Sequence, residues 1–302
     1  MDKKYYNRLG DYLLEIFGEK VKKIPIDGGF TCPNRDGKCG EGGCIFCGEQ
    51  GSGEQTKGFL SIEKQIESFF ATPKRLKGFI AYFQSFTNTY APPEILEEKF
   101  SKALCDDRVK GLAIATRPDC IDETTVKVLA TLKQRCPLWV ELGLQTSNNR
   151  VAKIINRGYD SEAFIKSAEL LSKYNIDTVA HIMVGLPEEG EKEVLETVDF
   201  LNKTPIKGIK IHSLYVLKNT PLCDMYKQGL YTPVSLEDYV RITALALARL
   251  RPDIVIHRIT GDAPKDKLIA PSWNTDKNLI IGGIIRFLRD NNLVQGCNYD
   301  RD

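Results

Sequence analysis

Residues 28–47 read GGFTCPNRDGKCGEGGCIFC, a glycine-rich stretch with four cysteines. Cys32, Cys44 and Cys47 follow the spacing C-x11-C-x-Φ-C, in which Φ is the aromatic Phe46. Soft thiolates select zinc, Cu(I) or iron–sulfur clusters over hard cations. Three thiolates on one loop can hold three irons of a [4Fe–4S] cluster and leave the fourth iron open to a chelating ligand. The spacing therefore predicts such a cluster, and the open iron indicates reductive cleavage of S-adenosylmethionine (SAM).

Cys39 is the ambiguous member of this loop. Structural zinc needs a closed set of four ligands, often with histidine among them. The three histidines of the chain, His181, His212 and His257, all lie far from the loop in sequence. On spacing alone we favour the cluster. Zinc bound by all four loop cysteines remains the alternative, and Cys39 is otherwise a spare thiol beside the cluster.

Composition limits the protein class. The chain has 302 residues, of which 42% are hydrophobic, enough for one large domain or two small ones. A net charge of +2 does not give the protein the strong overall positive potential that is typical of nucleic-acid binding. The N-terminus lacks the apolar run of a signal peptide, and no apolar stretch is long enough to span a bilayer. Nine cysteines, an odd number, fit reduced thiols in a cytoplasmic protein with no membrane contact.

Apolar runs that favour β-strands alternate with amphipathic helical stretches over most of the chain. Continuous apolar strands joined by helix-length connections indicate a parallel sheet with helical crossovers. We predict an α/β fold in which residues 1–230 form a partial (β/α)6 barrel that carries the cysteine loop. The six predicted strands are Val21–Ile26, Gly78–Gln84, Gly111–Thr116, Trp139–Leu144, Thr178–Val184 and Gly208–Leu214.

Residues 231–302 are predicted to form an α/β extension that caps the barrel. It comprises a helix at Ser235–Arg251, a short strand at Asp253–His257 and a final helix at Lys277–Arg289. The polar segment 258–277 lies between the last two elements. A loop of this length in a compact chain is usually functional or disordered. We favour a cap on the substrate side, and a solvated surface loop is the alternative.

Polar groups follow the predicted strands, where ligands bind in folds of this kind. SAM needs a partner for its amino group, cations for its carboxylate and acceptors for its ribose. We predict that it is bound by residues from four strand ends, namely Gln84, Thr116, Arg117, Glu141, Arg157, Gly185 and Pro187. The substrate is predicted to contact His212, His257, Arg258, Asp262 and Trp273. The alternatives without a binding role are a buried Glu141–Arg157 pair, prolines that only end strands, and histidines that belong to the core or the rim.

Several motifs together carry a family resemblance: AYFQSFTNTYAP, ATRPDC, LWVELGLQT, INRG, HIMVGLP, GIKIH and HRITGDAP. With the cysteine loop, they resemble the radical SAM proteins of the elongator-like branch, from about residue 8 to the C-terminus. The resemblance implies that Cys32, Cys44 and Cys47 bind the cluster and that Cys39 does not. It also implies SAM as cofactor, a 5′-deoxyadenosyl radical that abstracts a substrate hydrogen, and an electron donor such as flavodoxin or ferredoxin.

The resemblance also suggests a substrate. The group includes queuine lyase, which cleaves the 7-deazaguanine base queuine and releases its aminomethyl precursor base, preQ1. A small queuine-like deazapurine is therefore the most specific expectation, and Asp262 suits the N–H donors of its guanine-like edge. Because the chain has no obvious basic tract, we expect no stable nucleic-acid binding. A radical SAM enzyme acting directly on tRNA or other RNA is one alternative, and a non-catalytic zinc module is another.

Overall fold

The computed structural model describes residues 4–49, 51, 56 and 58–300. Within them the strands are β1 Val21–Ile26, β2 Gly78–Phe83, β3 Val109–Thr116, β4 Leu138–Gln145, β5 Asp177–Val184, β6 Gly208–Ser213, β7 Val216–Leu217, β8 Val255–Arg258 and β9 Leu268–Ala270. Seven of them form one parallel sheet in the order β1-β2-β3-β4-β5-β6-β8. The sheet curls into a half-barrel, which confirms the predicted α/β partial barrel.

Most of the helices connect the strands on the outside of the sheet. They are α1 Leu9–Phe17, α2 Ile62–Phe70, α3 Pro93–Lys102, α4 Glu123–Lys133, α5 Asn149–Ile154, α6 Ser161–Lys173, α7 Glu191–Asn202, α8 Pro221–Lys227, α9 Leu236–Arg249 and α10 Lys277–Asp290. Several begin at a side chain that accepts a backbone N–H of the first turn, which satisfies a donor that the helix leaves free. These caps are Ser61, Asp122, Asp160, Ser235 and Asp276. None of the described helices has the length and apolar character needed to cross a membrane.

The sheet has one strand more than the six predicted βα units. β8 corresponds to the short strand predicted in the C-terminal extension, and it pairs in parallel with β6, with Val255 opposite Gly208. An isolated bridge between Arg8 and Ile256 adds a contact from the N-terminal segment. The barrel wall thus includes a strand from beyond residue 230.

The two faces of the sheet bury different layers. On the outer face, Phe83 of β2 meets Phe100 of α3 edge to face, with ring centroids 4.9 Å apart. Inside the barrel, Leu13 of α1 belongs to the same apolar cluster as Ile80 and Trp139. α1 therefore closes the N-terminal end of the barrel, and the interior is left open toward the carboxyl ends of the strands, where chemistry takes place in such folds.

The segment between β8 and α10 is ordered against the barrel. β9 pairs with β7 in an antiparallel ribbon. Ser213 Oγ, at the end of β6, donates to Asn274 Oδ1 at 2.5 Å and accepts a hydrogen bond from the Gly261 backbone N–H at 3.0 Å. These bonds fix both ends of the segment beside the end of β6, where its polar side chains can face the interior.

Candidate active site

A cavity of about 430 Å³ lies inside the barrel. The thiols of Cys32, Cys44 and Cys47 contribute to one part of its wall. Lys23 of β1 and Glu141 of β4 contribute to another. The carboxyl half of the barrel is therefore a chamber that joins the cysteine loop to a set of buried charges.

Local backbone geometry holds the cysteine loop in place. Gly43 has φ of +81°, a left-handed conformation that favours glycine, and a Cβ there would lie 2.9 Å from the Arg35 side chain. Arg35 donates to the carbonyl oxygens of Cys47 and Gly48 at 3.3 and 2.5 Å. The Cys44 side chain hydrogen-bonds that of Cys47, and with the Arg35 guanidinium this lowers the pKa of the Cys47 thiol against the effect of burial. The loop therefore favours a thiolate at Cys47.

Cys39 stands apart from the other three thiols. Its side chain is exposed, its Sγ lies 4.0 Å from Asp119 Oδ2, and it does not line the described cavity. Within the described residues, no three His, Cys, Asp or Glu side chains converge closely enough to hold a single metal ion. A [4Fe–4S] cluster requires ligands that are farther apart, because each thiolate binds its own iron. Three cavity thiols with one excluded thiol fit the cluster better than a four-cysteine zinc site.

Asn34 is a buried neighbour of the predicted cluster ligands. Its Nδ2 atom lies 3.8 Å from Cys44 Sγ and donates to the Asn156 carbonyl oxygen at 2.6 Å. The side chain is 0% exposed. Hydrogen bonds to the sulfurs are among the features that set the reduction potential of an iron–sulfur cluster. Asn34 is therefore placed to tune a cluster held by Cys44.

We expect Asn34→Ala to lower the reduction potential of the reconstituted cluster, because a lost N–H···S bond leaves more negative charge on the sulfur. Anaerobic redox titration followed by electron paramagnetic resonance measures this shift. Asn291→Ala, which removes an exposed amide bonded to the Phe287 carbonyl oxygen, is the matched control. An unchanged potential in Asn34→Ala with full iron content would contradict the assignment.

Glu141 forms the centre of the buried charges. Its Oε1 accepts from Lys23 Nζ at 2.6 Å and from Trp139 Nε1 at 3.1 Å. Its Oε2 contacts Lys210 Nζ and lies 3.0 Å from His181 Nε2. Burial alone would raise the pKa of Glu141, but the two ammonium groups outweigh it and hold the pKa well below its usual range. The carboxylate is thus ionised, and both of its oxygens have polar partners.

All three histidines of the chain line this cavity. Burial, together with nearby Lys210, lowers the pKa of His181 to about 4. Burial also holds the pKa of His212 and His257 well below the usual histidine value. In the described structure, His212 Nε2 and His257 Nδ1 are buried without a hydrogen-bond partner. At neutral pH the cavity therefore offers neutral imidazoles, each with one donor and one acceptor.

The structure brings most of the predicted site residues into one place. Those lining the cavity are Gln84, Thr116, Arg117, Glu141, His212, His257, Arg258 and Asp262. Among the residues that the structure describes, four other predicted contact residues do not line this cavity, namely Arg157, Gly185, Pro187 and Trp273. Gly185 offers its carbonyl oxygen to Tyr231 Oη at 2.8 Å, and the Trp273 ring packs against Tyr239 with centroids 5.3 Å apart.

The Arg157 guanidinium forms its hydrogen bonds with backbone carbonyl groups. Its guanidinium donates to the carbonyl oxygens of Leu144, Thr146 and Tyr159 and lies 4.5 Å from the centroid of the Tyr159 ring. The alternative of a Glu141–Arg157 ion pair is wrong, because the carboxylate is taken by the two lysines. In this structure Arg157 supports the end of β4 rather than the cavity wall.

Sequence reasoning did not assign Lys23, Tyr82 and His181 to the site. Tyr82 Oη accepts from Lys210 Nζ at 2.9 Å, and Lys23 lies 4.3 Å from the centroid of the Tyr82 ring. A signal for Lys23 was present: it alternates with the buried Ile24 along β1, so it faces the opposite side of the sheet. A charged side chain on the inner face of a barrel strand has to find partners there.

Comparison with known proteins agrees with this geometry. The Radical SAM superfamily matches residues 34–201, and the Radical_SAM C-terminal domain matches residues 206–289. The uncharacterized protein YtqA of Bacillus subtilis is 41% identical, covering 99% of this chain and 94% of that protein. Human Elongator complex protein 3 is 28% identical over 210 residues, which are 68% of this chain and 36% of that protein.

A solved structure has the same fold. The archaeal Methanocaldococcus infernus Elp3 with an N-terminal deletion aligns with a TM-score of 0.68 at 18% identity. The alignment covers 91% of this chain and 64% of that one. The cofactors of the radical SAM superfamily are a [4Fe–4S] cluster and SAM, which favours the cluster over the zinc alternative for the cysteine loop. With its cysteine loop, its half-barrel and matches over nearly its whole length, the chain belongs to the radical SAM superfamily, in the elongator-like branch.

Proposed function

We propose that this radical SAM enzyme is a lyase for a small deazapurine base, and that it cleaves queuine to the aminomethyl-deazaguanine base preQ1. The observation that carries the proposal is the carboxylate of Asp262 in the cavity wall, held by Lys277 at 2.8 Å and by Arg258 at 3.6 Å. An ionised carboxylate only accepts hydrogen bonds, which suits the N–H donors of a guanine-like edge. The neutral imidazole of His212 adds a further polar group to the same wall.

The cofactors are proposed to bind between the cysteine loop and the strand ends. Cys32, Cys44 and Cys47 would hold the cluster, and the cavity residues Gln84, Thr116 and Arg117 would contact SAM. The Arg117 guanidinium is fixed by a two-bond pair with Asp119, at 2.9 and 2.7 Å. When bound, the cluster and SAM supply a carbon-centred radical. The chain's own residues position the substrate and exclude water, and a flavodoxin or ferredoxin is the proposed electron donor.

We expect Asp262→Ala to reduce turnover of queuine about ten- to a hundred-fold, the range set by losing one charge-assisted hydrogen bond. Uncoupled cleavage of SAM should persist, because Asp262 is proposed to touch only the base. Anaerobic incubation with SAM and dithionite, read by mass spectrometry, measures both products. Asp266→Ala, which removes an exposed carboxylate of the same segment, is the control. Equal loss of both reactions would place Asp262 outside substrate recognition.

An RNA substrate is the second candidate. Similarity to human Elongator complex protein 3 favours it, as does a 29% identical Methanocaldococcus jannaschii protein named tRNA uridine(34) acetyltransferase, matched over 54% of this chain and 30% of that protein. Isothermal titration with free queuine and with queuosine-containing tRNA separates the two candidates. Binding of the free base supports the lyase. Tight binding of the tRNA without binding of the base would replace it with RNA modification.

A further inference from the structure

Two lysines that line the cavity share one carboxylate. Lys23 Nζ lies 2.6 Å from Glu141 Oε1, and Lys210 Nζ contacts Glu141 Oε2. The Lys210 side chain is 6% exposed and that of Glu141 is 0% exposed. Among the described residues, neither ammonium group forms an ion pair with any other carboxylate. This lysine layer, defined by Lys23, Lys210 and Glu141, therefore sets two amino groups on one carboxylate. Burial, with the nearby charges of Lys23 and Arg258, lowers the pKa of Lys210 well below its usual value, so the layer lacks a second negative charge that would keep both amino groups protonated.

The neighbours of the lysine layer do not supply the missing negative charge. Burial raises the pKa of Tyr82 well above its usual value, so the phenol that accepts from Lys210 stays neutral. His181 and His212, whose ring centroids are 5.4 Å apart, are held neutral by their lowered pKa values. Neutral partners can satisfy hydrogen bonds, but they leave the net charge unchanged.

A third cation faces the same cavity. Arg258 lies 3.6 Å from Asp262, but Asp262 is closer to Lys277, at 2.8 Å. The side chains of Arg258 and Lys277 are 37% and 47% exposed, so the lysine layer is the more deeply buried of the two groups. Burial disfavours the charged form of a lysine unless a counter-charge is close. Two amino groups that share one carboxylate in a ligand-sized cavity therefore indicate a ligand that supplies a second negative charge.

We propose that the lysine layer binds an anionic group, a carboxylate or a phosphate, of a small ligand that occupies the barrel together with SAM. Lysine ammonium groups only donate hydrogen bonds, and the unprotonated oxygens of a carboxylate or a phosphate accept them. Glu141 already receives contacts from four side chains, so it orients the two ammonium groups and leaves their remaining N–H donors to the ligand. The unpartnered ring nitrogens of His212 and His257 are further polar groups in the same cavity.

This inference goes beyond the deazapurine proposal and does not depend on it. Queuine carries no anionic group, so the anion is either a second ligand beside the base or part of a different substrate. The probes are inorganic phosphate and malonate, and they are titrated without queuine or any other deazapurine. If neither anion binds, the proposed queuine lyase activity is unaffected. If queuine is not turned over, the proposed anion site is unaffected.

The test uses the full chain with its cluster reconstituted anaerobically and with SAM at saturation. Phosphate and malonate are titrated by calorimetry at constant ionic strength, with chloride as the compensating salt. We expect saturable binding of at least one probe, and Lys23→Met should weaken it about ten- to a hundred-fold. Lys22→Met removes an exposed lysine from the adjacent position of the same strand, so it should bind the probe like the wild type.

Two results would overturn the proposal. One is the lack of any binding beyond the chloride control, and the other is equal weakening in the Lys22 and Lys23 variants. Repeating the titration with queuine present identifies the source of the anion. Independent binding indicates a second ligand, and competition indicates that the substrate itself carries the anionic group.

Stability gives an independent measurement. If Lys23 is kept for a ligand, Lys23→Met in anion-free buffer should melt at or above the wild-type temperature, since Glu141 keeps Lys210, His181 and Trp139. A fall of more than about 5 °C would show that Lys23 is needed for the fold and would contradict a ligand-binding role. Iron content and SAM affinity, measured in parallel, confirm that the variant is intact.

Discussion

Alanine at Cys32, Cys44 or Cys47 is expected to abolish binding of the [4Fe–4S] cluster, whereas Cys39→Ala should retain it. Each of the three cavity thiolates is expected to hold its own iron, so removing one would leave two iron sites without protein ligands and the cluster incomplete. Cys39 Sγ lies against Asp119 on the surface of the loop instead. Iron and sulfide analysis after anaerobic reconstitution, together with the visible absorbance of the cluster, gives the answer.

The control for this series is Cys105→Ala, an exposed thiol distant in sequence from the loop. It separates the loss of a ligand from general effects of thiol removal during reconstitution. If Cys39→Ala lost all of its iron, the ligand set would have to include Cys39. If one of the three cavity variants kept a full cluster, the set would be wrong at that position.

Glu141→Ala is expected to lower the free energy of unfolding by about 3–5 kcal/mol, the usual cost of removing one member of a buried ion pair. The substitution leaves the amino groups of Lys23 and Lys210 side by side without a carboxylate. It also removes the acceptor for Trp139 Nε1. Chemical denaturation of the reconstituted protein, monitored by circular dichroism, measures the change.

Glu98→Ala is the matched control, since Glu98 pairs with Lys102 at 2.6 Å on the helix surface. An exposed pair of this kind is worth about 0–1 kcal/mol. The Glu141 effect should also depend on pH. A carboxyl with a lowered folded pKa stabilises the protein above its unfolded pKa of about 4.3 and loses that contribution as the pH falls toward the folded value. A cost for Glu141→Ala as small as that for Glu98→Ala would show that the lysine layer is not a structural unit.

The strands were predictable because both of their faces are buried. Strand β2, Gly78–Phe83, is apolar at nearly every position, since helices cover one face and the interior of the barrel receives the other. Each predicted strand of the first six ends within two residues of the observed one. The partner of the short strand near Val255 was not predictable, because its pairing with Gly208 depends on how the chain returns after α9.

The site was predictable only as a set of strand ends. Residues such as Gln84 and Asp262 reach the cavity because the ends of parallel strands converge at one side of the sheet. The partners of Glu141 could not be read from sequence, since Lys23 lies 118 positions away and the choice between Lys23 and Arg157 depends on barrel geometry. Arg157 does not line the described cavity for a local reason: the turn after α5 directs its guanidinium back to the carbonyl groups at the end of β4.

Every imidazole of this chain lies in the wall of one cavity. A preparation labelled with ¹⁵N only at histidine would therefore place all of its nuclear magnetic resonance probes in that chamber and none elsewhere. Ring-nitrogen chemical shifts distinguish the two tautomers and the protonated form, so His181, His212 and His257 would each report the arrival of a donor, an acceptor or a charge. The composition of the chain thus provides a background-free reporter of whatever ligand enters the barrel.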